Sequence, residues 1–395
     1  MLFRLIFFVF PFLVWLALWP VFVKKVASRK IVRIALWFAL GLALAKFAAF
    51  RLFGGSSFLP VLPESVTWAW SFAYSCAMTL AVCAVFAAVC AKIAQLAHRH
   101  ASSERFTATA AAVGALATTA YGIAESWCIP DVKVREVPLD GLPEAFDGYT
   151  ICHLSDLHIS KAAPARRTAK IVETANSLGA DLVCITGDIV DAPIDIIEED
   201  VAPLAKLHAK DGVLACAGNH EFYADYEAWK PFFARCGIDI LDNAHRIIAK
   251  NSAKLAVGGI IDPQGISFAR RGLGKWEGPD ARLAFAGAGE DAFKILMAHR
   301  PVQLQKHAAL GVKLQLSGHT HGGQIPGIAQ IVAAANENHV RGFYEEYGTT
   351  LFVHPGTGQW AGFPMRIADP AEITLLRLVR MQHRRNSKAI LPENA

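Results

Sequence analysis

The chain has 395 residues, of which 53% are hydrophobic and 18% charged. It is too apolar for a soluble globule throughout, and the same composition excludes a disordered chain. Its net charge of +5 is uneven: up to Pro130 there are 11 Lys and Arg against 3 Glu and no Asp, so this part carries +8 and the remainder −3. The basic balance therefore points to membrane flanks and not to nucleic-acid binding.

Four apolar segments lead the chain: Leu5 to Val23, Ile34 to Phe50, Val66 to Ala91 and Phe106 to Ala124. Each approaches the ~20 residues that a helix needs to cross the hydrocarbon core. Residues 1–130 are therefore expected to form a membrane domain of four transmembrane helices. Lys46 lies near the end of the second segment and is expected to snorkel to the interface. The fourth segment, rich in Ala and Thr, has an alternative reading as a helix buried against the domain that follows. Three further runs after the first, and no charged stretch before a small-residue cleavage site, argue against a cleaved signal peptide. Cys76, Cys83 and Cys90 recur at helical spacing and read as small packing residues.

The loop after the first segment carries Lys24, Lys25, Arg29, Lys30 and Arg33, and the loop after the third carries Lys92, Arg99 and Arg105. On the other side only Arg4 and Arg51 stand near the spans. The positive-inside rule puts the two basic loops in the cytoplasm. With four spans, both termini and the second half of the chain fall on the extracytoplasmic side of the cell membrane.

After Pro130 the texture changes to short strand-like runs alternating with helical patterns, the mark of an α/β domain. Ser126 to Val137 reads as a short linker. Strands are expected at Tyr149 to Leu154, Asp181 to Thr186, Val213 to Ala217, Lys254 to Gly258, Lys294 to Ala298, Lys313 to Leu316, Thr350 to Val353 and Ile373 to Leu376. Helices are expected at Arg166 to Leu178, Val201 to Ala209 and Tyr223 to Ala234. Domain boundaries follow at 131–380, with a basic frayed tail over Arg377 to Lys388 and on through residues 381–395. Cys152, Cys184 and Cys216 fall inside strands as buried thiols; Cys128 and Cys236 read as less clearly buried, and a bridge between them is a guess that no paired spacing supports.

Five motifs each follow a predicted strand: Asp156-Leu157-His158, Gly187-Asp188-Ile189-Val190-Asp191, Gly218-Asn219-His220-Glu221, Ala298-His299-Arg300-Pro301 and Gly318-His319-Thr320-His321. Loops at the carboxyl ends of strands line the ligand site in α/β folds, so motifs more than 160 residues apart can converge. Taken singly, each has an ordinary structural explanation: Gly187-Asp188 as a turn, His299 as a satisfied core histidine. The donor set of carboxylates, imidazoles and one amide, without thiolate, suits Mn, Fe, Zn or Co.

In order and composition the motifs resemble the calcineurin-like metallophosphoesterase superfamily, over roughly residues 131 to 380. The resemblance implies a four-layer α/β/β/α domain behind the transmembrane helices. It also implies two divalent metal ions, one held by Asp156, His158, Asp188 and His321, the other by Asp188, Asn219, His299 and His319, with Asp188 bridging. A water between two cations ionises near neutral pH and can attack phosphorus in line. The resemblance aims His220 at the leaving-group oxygen, as a catalytic proton donor. Asp191 then orients this histidine and is not itself a ligand.

Val137 through Asp147, and His321-Gly322-Gly323-Gln324, are similar to the membrane-anchored subgroup. The expected function is hydrolysis of a phosphate ester, of a membrane-associated lipid in particular, with the bilayer as partner. Two alternatives stay open: a UDP-2,3-diacylglucosamine-type pyrophosphatase, and a sensor module whose metals are structural. Outside the motifs, Arg300 and His153 read as structural, and His245 and His354 as ambiguous. The Arg270 to Trp276 loop reads as solvated. The apolar cluster Trp360, Phe363, Pro364 and Met365 reads as a core cap ahead of a lipid-facing lip.

Overall fold

The computed structural model describes residues 9–53, 61–96 and 104–381. The basic tail from residue 382 onward and the first residues of the leading apolar segment lie outside the described residues.

The N-terminal part is helical: α1 (Phe10–Leu18) continues through a π-turn at Trp19–Val23, followed by α2 (Lys30–Leu44), α3 (Lys46–Phe53), α4 (Glu64–Leu96) and α5 (Glu104–Trp127). Among the described residues two helices are long and apolar enough to cross a membrane, Glu64–Ile93 and Phe106–Trp127. The second of these is the Ala- and Thr-rich segment. The second apolar segment is not one straight helix, because α2 and α3 meet at 61° across Ala45. Lys46 stands at this break and does not snorkel. It is fully buried, and Nζ donates to the carbonyl oxygens of Ala361 (2.7 Å) and Gly362 (2.8 Å). The break gives the ammonium fixed acceptors inside the protein, where a long stem reaching for water would have left it without them.

From Asp131 the chain folds into two six-stranded sheets. In chain order the strands are β1 (Asp131–Leu139), β2 (Thr150–Leu154), β3 (Leu182–Thr186), β4 (Val213–Cys216), β5 (Ile238–Ile240), β6 (Ala244–Lys250), β7 (Ala253–Gly259), β8 (Phe293–Met297), β9 (Val312–Ser317), β10 (Gly342–Glu346), β11 (Thr349–Val353) and β12 (Glu372–Arg380). One sheet has the order β1-β12-β2-β3-β4-β5 and the other β10-β11-β9-β8-β7-β6. β2 through β5 are parallel, as are β7, β8 and β9.

Apolar residues from both sheets, including Ile151, Leu182, Leu214, Val257, Ile295, Leu314 and Phe352, form one buried layer between them. The outer face of the first sheet packs on α6 (Ala165–Ser177), α7 (Ile194–Val201) and α8 (Tyr226–Arg235), through Ile171, Val172, Ile197, Trp229 and Phe233. Short helices at Ala281–Ala284 and Leu304–Ala308 cover the outer face of the second. Strands buried on both faces read as continuous apolar runs, which is why Leu182-Val183-Cys184-Ile185 was visible in the sequence.

Several expectations are corrected. The stretch read as a linker contains β1, a largely exposed edge strand that pairs with β12 in parallel, and its alternating charges conceal the pattern. Arg377 to Arg380 belong to β12 and are not tail. The helix expected at Val201 to Ala209 lies earlier, at Ile194–Val201, and tightens to a 3-10 turn over Ala202–Lys206. Pro203 explains this, since it has no N–H to continue the α ladder. All eight cysteines are free; Cys128 is exposed while Cys236 is buried, and no bridge joins them.

Trp360, Phe363, Pro364 and Met365 do not cap a core of the α/β domain. Trp360 and Phe363 pack into the helical bundle with Phe47, Tyr74 and Ala77. Ser126 Oγ donates to Pro364 O at 3.1 Å, Ser71 Oγ to Ala361 O at 3.2 Å, and Arg366 N to Gly122 O at 3.0 Å. Gly122 allows the close approach, because a Cβ there would meet Met365 Cγ at 2.7 Å. The Gly356–Arg366 loop thus joins the two halves of the molecule.

Candidate metal centre

The five motifs converge at the carboxyl ends of β2, β3, β4, β8 and β9. The turns that deliver them are sharp. Asp156 (φ 52°), His158 (46°), Asp188 (52°), His319 (70°) and His321 (50°) all have left-handed backbone. That conformation is uncommon for residues with a side chain, and it recurs where a loop must hold a side chain against its preference.

Two groups of donors result. Asp156, His158 and His321 offer atoms within 4.8 Å of one another, and so do Asp188, His299 and His319. His158 Nε2 and His321 Nε2 face each other at 2.9 Å, and His319 Nδ1 lies 3.2 Å from His299 Nε2. Asp188 stands between the groups, its Oδ2 3.3 Å from His299 Nε2 and 3.8 Å from His158 Nε2. Asn219 Oδ1 is buried without a hydrogen-bond partner. Unpaired buried acceptors and imidazole nitrogens that face one another are costly in a closed protein and natural around a cation, so the residues present fit divalent metals.

The surroundings fix each donor. His299 Nδ1 lies 2.7 Å from Thr186 O, which reserves Nε2 for the site. Asp191 Oδ1 is 2.8 Å from His158 Nδ1 and 2.7 Å from His220 Nδ1, so one carboxylate orients two rings. His158, Asp191 and His220 also form a third close group. His220 Nε2 is 4.0 Å from Asp188 Oδ2 and its ring centre 6.0 Å from that of Trp360.

Burial and charge divide the imidazoles. Burial alone lowers His220 and His299, but Asp188 with Asp191 raises His220 to about 9, and Asp188 with Asp156 raises His299 to about 10. Burial holds His319 and His321 well below the usual histidine range, which favours the neutral ring that can bind a cation. Asp188 stays well below the ordinary carboxylate range; burial opposes this, and His299 and His220 outweigh it.

Sequence reasoning missed two residues. Glu221 closes the first quoted Gly-Asn-His-Glu run. Its Oε2 accepts from the backbone N–H groups of Gly218 (2.6 Å) and Asp188 (2.9 Å), its Oε1 from that of Ile189 (2.6 Å). It clamps two motif loops together, and its position three residues after Gly218 is the available signal. Arg366 is fully buried, with Nη2 3.3 Å from His321 Nδ1 and 3.0 Å from Gly358 O, and Nε on Gln359 Oε1. No motif marks it. Arg300 makes a two-pronged pair with Asp262 (2.7 and 3.1 Å), and His153 contacts Thr186 Oγ1, both structural roles as expected. His245 Nδ1 reaches Ala284 O, and His354 Nδ1 accepts from Gly356 N.

Comparisons with known proteins agree with this arrangement. The calcineurin-like phosphoesterase family model matches residues 149–323. A Caenorhabditis elegans metallophosphoesterase is 33% identical over 258 residues, covering 64% of this chain and 52% of its own length. The zebrafish (Danio rerio) "Transmembrane protein with metallophosphoesterase domain" is 31% identical over 64% of this chain and 58% of its own. The chain thus spans little more than half of these two relatives. The Bacillus subtilis metallophosphoesterase YkuE is 31% identical over 245 residues, covering 60% of this chain and 81% of its own. The chain belongs to the calcineurin-like metallophosphoesterases.

Proposed function

We propose that residues 131–380 are the catalytic domain of a membrane-anchored phosphoesterase that hydrolyses a phosphate ester of a membrane-associated substrate, a lipid in particular. The observation that carries the reading is the position of Asp188 Oδ2 between His299 and His158, at 3.3 and 3.8 Å, with one donor group on either side. One metal would be held by Asp156, His158, Asp188 and His321, and the other by Asp188, Asn219, His299 and His319. Two such cations supply an ionised water as nucleophile and take charge that develops on the phosphoryl oxygens.

The chain's own residues do the rest. His220, held through Nδ1 by Asp191, presents Nε2 toward the same space and can give a proton to the departing oxygen. The carboxylate of Asp191 on Nδ1 favours the protonated ring. Asp191 fixes the ring of His158 at the same time.

Three features support the membrane part, read as residues 1–130 with four passes. Large apolar residues such as Phe38, Leu42, Val82, Phe86, Val89 and Val113 are exposed on the helices, as lipid-facing residues would be. The loop that holds Trp360 near His220 also packs among those helices, which supports a site beside the bilayer. Lys46, the start of α4 at Glu64 and the end of α5 at Trp127 all contact the α/β domain, through Ala361, Arg166 and Arg167. Lys30 and Arg33 at the start of α2 and Lys92 near the end of α4 then lie at the opposite end of the bundle, which favours an extracytoplasmic domain.

The test is hydrolysis by the full chain in detergent after loading with Mn, Fe, Zn or Co. Bis(p-nitrophenyl) phosphate and a membrane lipid fraction serve as substrates, read as nitrophenolate and released head group. Turnover of neither under any metal would leave the non-catalytic sensor reading in its place.

A further inference from the structure

Between the upper ends of α4 and α5 and the first turn of α6 lies a cavity of about 330 Å³, outside the metal centre. Its lining combines Trp68, Trp127 and Ile129 with Arg166, Arg167 and Lys170, and includes Glu64 and Gln359. The Trp68 and Trp127 rings meet edge to face at 4.7 Å, and Trp68 Nε1 is anchored on Ala162 O at 3.0 Å. Tryptophans at the ends of membrane helices mark the level of the lipid head groups.

The cations here are not equivalent. Arg166 is committed to Glu64 and Lys170 to Glu173. Arg167 gives only Nη1 to the protein, donating to Trp127 O (2.8 Å) and Cys128 O (3.0 Å) at the end of α5. Its Nε and Nη2 are buried and have no partner. These two nitrogens form the side-on fork of a guanidinium, the face that grips two oxygens of a phosphate or carboxylate at once. A helix-capping role accounts for Nη1 and leaves the fork unexplained. A buried donor without an acceptor is costly, so an oxygen ligand that reached this fork would relieve that cost. The four charged groups that line the cavity, three basic and Glu64, leave a positive excess. Burial, with Arg366 nearby, lowers Arg167 to about 10, which still leaves it charged at neutral pH.

We propose that this cavity is a second, non-catalytic site that binds the phosphate of an anionic head group, with the Arg167 fork on two phosphate oxygens and the Trp68–Trp127 wall against the glycerol. The apolar wall and the position at the ends of the membrane helices favour a lipid such as phosphatidylglycerol over free phosphate. Gln359 links the cavity to the metal centre, since it also bonds Arg366 beside His321. The site stands or falls on binding alone and does not depend on turnover.

The experiment is native mass spectrometry of the full chain in neutral detergent, titrated with phosphatidylglycerol or phosphatidylcholine. The parent should retain one phosphatidylglycerol in preference to phosphatidylcholine. Arg167→Gln, which keeps an amide donor for the Trp127 carbonyl, should bind it about tenfold more weakly. Arg167→Lys, which keeps the charge and one capping donor but loses the fork, should fall between them. Phosphatidylglycerol binding equal to the parent in either folded variant overturns the proposal, so the lysine variant carries the test should the glutamine variant not fold. Competition with inorganic phosphate separates the sources. Retention of the lipid at millimolar phosphate identifies the head group of a lipid, and its loss identifies a soluble phosphate as the occupant of the same fork.

Discussion

Lys46 Nζ donates a 2.7 Å hydrogen bond to the carbonyl oxygen of Ala361, across 315 residues of sequence. It ties the break between α2 and α3 to the loop that carries Trp360 and Arg366 beside the metal ligands. Lys46→Met keeps the stem and removes the ammonium, leaving the Gly362 carbonyl without this donor and the Ala361 carbonyl with Ser71 Oγ alone. The loss is expected at about 1–3 kcal/mol, or more because a charge is involved. Thermal unfolding in detergent should come earlier and turnover should drop. An unfolding curve that overlays the parent would mean the loop is held by its apolar contacts alone.

Asp188→Asn should abolish nearly all hydrolysis. The carboxylate contacts both donor groups, and an amide cannot bridge two cations with the same charge. Elemental analysis should find both metals depleted. Turnover within tenfold of the parent, with two metals retained, would show the bridging assignment to be wrong.

Removing the ring in His220→Ala should lower turnover about 10²–10⁴-fold while leaving two metals bound. The loss should be larger for an alkyl leaving group than for nitrophenolate, which departs without a proton. Equal losses would remove His220 from leaving-group chemistry, and loss of metal would make it a ligand. Asp191→Ala should do both kinds of damage, because its Oδ1 serves His158 and His220 alike.

The motif glycines are tested separately. A Cβ at Gly318 would press into Ser155 Oγ and the Asp156 carboxylate, and one at Gly218 into the Asp188 carboxylate. Gly318→Ala should therefore displace Asp156 and weaken metal binding without unfolding the sheets. Metal content and far-UV circular dichroism together check this; unchanged metal content would mean that the Asp156 loop yields freely.

The site was legible in the sequence to the extent that its chemistry is local. Each candidate donor sits in a tri- to pentapeptide after an apolar strand, so Asp156 through His321 are legible as a set from the sequence, and the structure brings them together. The role of Glu221 is illegible in the sequence, because its partners are backbone N–H groups of its own loop and of the Asp188 loop. Arg366 and Trp360 were illegible as site neighbours, since burial against α5 and contact with His321 and His220 depend on how the helices meet the loop. β1 and the α2–α3 bend failed for a related reason. An exposed edge strand lacks a period, and a helix break without proline or glycine is set by the tertiary acceptors of Lys46.

Sidedness is the remaining expectation with a physical basis strong enough to test. The loops after the first and third segments hold eight Lys and Arg, while Arg4, Arg51, and Lys133 and Arg135 after α5 are the basic residues near the other face. Such a bias orients a bundle because cationic loops are retained on the cytoplasmic side. The count of passes decides the result. α4 and α5 have the length to cross. α2 measures roughly 22 Å at 1.5 Å per residue and ends at the Lys46 bend, short of a ~30 Å hydrocarbon core. If α2 and the first segment both traverse, the domain after α5 is extracytoplasmic. Should α2 and α3 instead form a re-entrant hairpin, the loop after the first segment would share the face from which α4 begins, and its five Lys and Arg would oppose the three between α4 and α5. With four passes the two basic loops share one face, which predicts that face to be cytoplasmic and the catalytic domain extracytoplasmic. An alkaline phosphatase fusion after Asp140 should be active in a bacterial host, and a fluorescent-protein fusion at the same point should be dark. The reverse pattern would put the metal centre in the cytoplasm and make a cytoplasmic nucleotide-linked lipid, of the UDP-diacylglucosamine kind, the leading substrate class.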